Sequence, residues 1–157
     1  MSGAKDVSLV TYRSLDFYDD SCNICPTTLD HAYAWKTIRD ADVVLAGGSD
    51  APVEEPKPSL GIYDAVFRQK APRDAKNIGD PATTFRPEER LGVGAAIDAF
   101  TVGSAWAAGR DESMGKIEAG FCADFVVMAD DADVVTDPSL WLKADFSQVW
   151  VGGVRRK

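Results

Sequence analysis

The segment Val43-Val-Leu-Ala-Gly-Gly-Ser-Asp50 constrains this chain more than any other, because its apolar residues are consecutive and end on two glycines. A strand with one wetted face alternates apolar and polar side chains, whereas a parallel strand covered on both faces does not. Val43 to Ala46 therefore predicts a buried parallel strand. Gly47 and Gly48 leave room for a neighbouring backbone or a ligand. Asp50 then stands at the strand's carboxyl end, where barrels and open α/β sheets carry their chemistry. Pro52, Pro56 and Pro58 follow and fix the next stretch as a loop. A plainer reading stands beside this one: a strand, a turn, and an Asp chosen for its turn conformation.

Helical spacing surrounds this strand. Thr27-Thr-Leu-Asp30 is a capping-box pattern, and Ala34, Trp35, Ile38 and Ala41 recur at helical intervals, which predicts a helix over 29–41 with His31 in its first turn. Leu60, Ile62, Tyr63, Val66 and Phe67 predict a short helix ending near Arg68. Residues 69–87 have little to bury and read as a long loop. Val93, Ala96, Ile97 and Phe100 begin a further helix that continues through Trp106 and stops at Gly109. From about Met114 the pattern turns to β: a strand over 117–120 running into a turn, a buried strand over 125–128, and a terminal hairpin at Gly152-Gly153. Before the strand at 43, Val7, Leu9 and Val10 make a short strand of their own. The expected division is a poorly defined segment over 1–30, an α/β part over 31–113 and a β-rich part over 114–157.

At 157 residues the chain can bury a core but falls short of the roughly 250 of a complete eight-stranded barrel. The net charge of −8, with no basic cluster beyond Arg155-Arg-Lys157, argues against nucleic acid or an anionic membrane surface as partner. No stretch reaches the roughly 20 apolar residues of a membrane span, and the first residues lack the apolar core of a secretory signal, so a cytoplasmic protein is expected. Cys22, Cys25 and Cys122 are too few for a disulfide framework and read as reduced thiols.

One histidine, His31, narrows the chemistry further. A serine or cysteine triad would have to use it, yet no Gly-x-Ser-x-Gly elbow is present. A lone histidine at a helix start is more often a solvated or capping residue. Cys22-Asn-Ile-Cys25 has the spacing of a redox or zinc knuckle without a second pair, although Cys22, Cys25, His31 and Asp50 together could make a mixed site. Gly47-Gly-Ser49 is no phosphate loop, since Pro52 and acidic residues stand where a Lys and a helix belong.

Seven blocks in order carry a stronger signal. They are Ala32-Tyr-Ala-Trp-Lys, Gly48-Ser-Asp-Ala-Pro-Val, Leu60-Gly-Ile-Tyr-Asp-Ala-Val-Phe-Arg, Pro87-Glu-Glu-Arg-Leu, Ala99-Phe-Thr-Val-Gly, Met114-Gly-Lys-Ile-Glu-Ala-Gly and Ala123-Asp-Phe-Val-Val. Together they resemble the C-terminal part of amidohydrolase family 3, the group that includes the N-substituted formamide deformylases and related metal-dependent hydrolases. The resemblance implies an α/β chain that forms the C-terminal part of a TIM-type (β/α) barrel, followed by part of a small β-sandwich domain. It implies that Asp50 is both a metal ligand, for zinc or another divalent ion, and the catalytic carboxylate that handles the proton of the attacking water. It also implies a small amide-type substrate and hydrolysis of a carbon-nitrogen bond other than a peptide bond. Family members bring a His-x-His pair from an early strand, which this sequence does not contain, and Thr28 stands where a ligand histidine often does. Two classes of function follow. One is a partial amidohydrolase completed by another chain or further sequence. The other is a non-catalytic remnant that acts as an interaction or oligomerisation module, because part of a barrel exposes strand edges.

Overall fold

The computed structural model describes residues 7–11, 31–52, 55–69, 84–129 and 133–157. Two strands, β1 (Val7–Thr11) and β2 (Val44–Gly48), pair in parallel with Leu9 opposite Ala46 and Thr11 opposite Gly48. A parallel pair needs a crossover between its strands. The described part of that crossover ends in the helix α1 (Trp35–Asp40), whose Trp35 is buried.

After β2 comes α2 (Pro58–Phe67), with Pro58 in the first turn, where its missing N–H costs nothing. It ends at Arg68 in a left-handed conformation, φ 57°, whose N–H donates to the Asp64 carbonyl at 2.8 Å. A 3-10 turn (Pro87–Glu89) then leads to a helical stretch in three parts: α3 (Val93–Asp98), a π segment (Ala99–Gly103) and α4 (Ser104–Ala107). Gly109, at φ 66°, closes it. The remainder is a three-stranded antiparallel sheet of β3 (Phe125–Met128), β4 (Phe146–Val151) and β5 (Val154–Arg155), with a 3-10 segment (Pro138–Lys143) before β4. Asp137 caps that segment by accepting from the Ser139 N–H at 3.0 Å.

The core gathers Trp35, Leu45, Ile62, Tyr63, Ala65, Leu91, Ala96 and Ala99, and Val134 and Trp141 join it from the C-terminal side. Tyr63 and Phe67 stack at 4.6 Å within α2. The Leu91 N–H donates to the Ala65 carbonyl at 3.0 Å, which ties the chain entering α3 to the end of α2.

Several expectations are corrected. The helix expected over 29–41 is confined to Trp35–Asp40 within the described residues, because 31–33 form a turn with Tyr33 at φ 54°. His31 therefore sits in that turn and not in a helix. The buried strand extends through both glycines to Gly48. Residues 117–120 form no strand: Gly115 at φ 90° and Gly120 at φ 94° turn the chain on either side, and Ile117 is left 88 % exposed. β3 forms where expected, but Val126 and Val127 are exposed. The hairpin at Gly152-Gly153 forms as the sequence indicates. Cys22, Cys25 and Thr28 lie outside the described residues, as does most of the 69–87 loop.

Candidate active site

The carboxyl end of β2 opens into a cleft of about 230 Å³. It is lined by Gly47-Gly-Ser49, by residues just before α2 and in its first turns, and by Phe100 and Ser104. Asp50 follows Ser49 directly, in an exposed turn with φ 51°, a conformation that Asp tolerates better than most residues.

The placement of Phe100 and Ser104 depends on the π segment. A Cβ on Gly103 would overlap the Leu45 carbonyl oxygen, so only glycine lets the helix lie this close to β2. The next residue, Ser104, donates from Oγ toward the Gly47 carbonyl at 3.0 Å and stands 2.9 Å from the Ala99 carbonyl. Its one proton is thus shared between the Gly47 carbonyl of β2 and a carbonyl of the π segment. Phe100 fills the space between β2 and α2. A Cβ on Gly47 would come within 2.8 Å of its ring, and one on Gly61 within 2.5 Å. Two glycines on two elements therefore make room for one ring.

Behind the cleft lies a buried polar cluster. The Arg68 guanidinium is 4.3 Å from the Trp35 ring centre, and its Nε donates to the Phe85 carbonyl at 3.1 Å. An arginine stacked this way is held through its flat face and its fork together. Glu89, also buried, accepts from the Thr37 N–H at 2.8 Å and from the Thr37 hydroxyl, with an Arg86 guanidinium nitrogen at 3.6 Å. Burial pushes the Glu89 carboxyl up, but the Thr37 hydrogen bonds and the Arg86 and Arg68 charges together outweigh it and hold it below its ordinary range. This cluster links α1, the end of α2 and the 3-10 turn, and so fixes the frame around β2.

Comparison with known proteins bears on what the cleft is for. The family model described as "Amidohydrolase family" matches residues 2–156. The chain belongs to the amidohydrolase family. It is 37 % identical over 111 residues to YtcJ of Bacillus subtilis (strain 168), which carries an amidohydrolase name; the match spans 71 % of this chain and 20 % of YtcJ. It is also 32 % identical over 98 residues to the protein LONG AFTER FAR-RED 3 of Arabidopsis thaliana, covering 62 % of this chain and 15 % of that protein. The chain thus spans a fifth or less of the length of these relatives. An amidohydrolase crystal structure from Thermotoga maritima MSB8 superposes on 80 % of this chain and 26 % of its own, with a TM-score of 0.50 at 21 % identity, a likeness of fold.

Placed on this amidohydrolase framework, the residues singled out in the sequence lie apart. Asp50 follows Ser49, the last cleft-lining residue of this segment, and is itself exposed. His31 is in the exposed turn before α1, and Cys122 is a free, exposed thiol after residue 120. Among the described residues no group of three His, Cys, Asp or Glu side chains comes together to hold a metal ion. A catalytic zinc takes about three protein ligands, so the described residues do not make a metal site by themselves, although the family is generally metal-dependent. The sequence reading missed Lys57, Asp64, Phe100 and Ser104, all of which line the cleft. A signal for Asp64 was present, since it is the one charged residue within Ile62-Tyr-Asp-Ala-Val66, on a helix face that is otherwise core.

Proposed function

We propose that this chain is the C-terminal portion of a metal-dependent amidohydrolase that hydrolyses a non-peptide carbon-nitrogen bond in a small amide-type substrate, with Asp50 as its catalytic carboxylate and its contribution to the metal site. The observation that carries this reading is the family match over residues 2–156 in a chain whose cleft opens at the carboxyl end of a parallel strand. In this reading β1 and β2 are strands of a TIM-type barrel, residues 31–113 are its closing part, and residues 114–157 belong to a smaller β-rich domain. The sequence blocks resemble those of the group that includes the N-substituted formamide deformylases, which makes N-substituted formamides the first substrates to try.

A carboxylate suits the assigned role because it can accept the proton that water loses on attacking an amide carbonyl. Gly48 leaves open space beside the strand end, since a Cβ there would meet nothing within 4 Å. The described residues supply one of the donors that a divalent ion needs, and the others would come from outside them. Metal analysis of the purified protein and of Asp50→Ala, alongside an N-substituted formamide hydrolysis assay, tests the proposal. Metal and turnover that both fall in Asp50→Ala support it. Equal metal content in the two proteins, with unchanged turnover, would sink the assignment of Asp50.

A second reading, an interaction or oligomerisation module, is supported by the sheet of β3 to β5. Strand register places Val126, Val149, Val151 and Val154 on one face, and three of the four are exposed. An apolar face of this kind favours contact with more protein, from a second copy or a partner chain. Light scattering after size exclusion checks it: a mass of one chain at all concentrations counts against this role.

A further inference from the structure

We infer that Phe100 sets the length of the group the cleft accepts, acting as a stop between Gly47 and Gly61; this rests on the reading of the cleft as an amide-substrate site. The cleft is lined by polar side chains at Ser49, Glu55, Lys57, Asp64 and Ser104 and by apolar ones at Leu60 and Phe100. In this inference a small amide places its carbonyl toward Ser49 at the end of β2, the residue before Asp50, and its apolar substituent toward the Phe100 ring.

The position of that ring is unusually well determined. It has backbone of β2 on one side and backbone of α2 on the other, with no Cβ on either glycine to separate them. A close-packed contact of this kind cannot yield toward β2 or α2, so the side of the ring that can move is the one facing the cleft. Shortening the residue at 100 therefore lengthens the cleft toward Gly61. Adding a Cβ at Gly61 does the reverse, because it drives the ring into the cleft. The two substitutions act on the same space with opposite sign, which a purely structural role for Phe100 does not produce.

The test uses a homologous series of N-alkylformamides, from methyl to hexyl, titrated against the full chain with binding followed by ligand-observed NMR. In the unsubstituted protein, affinity rises about fourfold for each methylene that is buried, up to a chain length beyond which it falls. Phe100→Leu moves that limit to a longer chain, Gly61→Ala moves it to a shorter one, and the double variant returns it toward the start. Circular dichroism establishes that each variant is folded, and either single variant suffices if the other is not. An unmoved limit in a folded variant, a shift in the wrong direction, or no binding of any member overturns the inference. Hydrolysis is scored separately. Turnover with an unmoved limit defeats this inference and leaves the amidohydrolase reading standing, whereas a moved limit without turnover does the opposite.

Discussion

The parallel pair β1–β2 and the antiparallel sheet β3–β5 are built from similar apolar residues and end in different surroundings. In β2, Leu45 is 6 % exposed and Ala46 1 %. In β3 and β4, Val126 is 50 % exposed and Val151 48 %. The difference lies in what packs on each. Trp35 and α1 lie to one side of β2, and the π segment presses on its backbone through Gly103. The sheet β3–β5 has an aromatic face, where Phe125 and Trp150 stack at 5.6 Å, and a valine face that no described element covers. An apolar strand thus becomes core only where another element can approach its backbone, and in β2 that approach depends on glycine.

The sharpest way to break this contrast is Gly103→Ala. Its new Cβ would meet main chain, which cannot rotate away, so a loss of about 3 kcal/mol or more in urea unfolding is expected. A loss below about 1 kcal/mol would mean that the π segment does not sit against β2. Next in size, Leu45→Ala should cost about 2–5 kcal/mol through the cavity it leaves, while Val151→Thr on the exposed face should stay within about 0.5 kcal/mol. Equal effects at the two positions would erase the distinction between the sheets.

Carboxylates extend the comparison. Glu89, buried against α1, should lose about 1–3 kcal/mol on change to Gln, because the charged acceptor of two Thr37 hydrogen bonds is replaced. Its carboxyl is held below its ordinary value, so its stabilisation is fully present above the unfolded value of about 4.3 and is lost as pH falls through the folded value. The gap between wild type and Glu89→Gln in pH-dependent unfolding should therefore close below about pH 4. The smallest effect is expected at Asp145 beside β4. The Lys157 hydrogen bond and charge lower its pKa too, but both groups are solvent-exposed. Asp145→Asn should leave the unfolding midpoint unchanged, and added salt should not distinguish it from wild type.

Local chemistry made much of this legible in advance. The consecutive apolar run at Val43 to Ala46 announced a covered parallel strand, and the spacing from Val93 to Trp106 announced one long helical stretch. The terminal hairpin could be read from its two glycines. What could not be read came from contacts between distant residues. Nothing local indicates that Ala99–Gly103 widens to a π turn, or that Gly103 at its end lies against the Leu45 carbonyl. Similarly, Val126 and Val127 look like core in sequence, yet both are exposed. For the site, the strand end that opens into the cleft was legible in sequence, and Asp50 beyond it was an expectation, while Phe100 and Ser104 were read only as helix. Their part in the cleft depends on a strand more than 50 residues away, as the 57-residue separation between Ser104 and Gly47 illustrates.

The π segment gives the stretch from Val93 to Ala107 one residue more than a regular helix would use for the same rise. Removing a single residue between Ala99 and Gly103 would let the helix continue unbroken as an α-helix, without opening a gap in the chain. Because the wide turn takes up the extra residue within one revolution, the helix on either side would keep its direction. What would go is the local widening that sets Gly103 against the Leu45 carbonyl. A one-residue deletion aligned to this segment in a related sequence therefore marks a chain whose helical content is preserved and whose contact with β2 has been rebuilt.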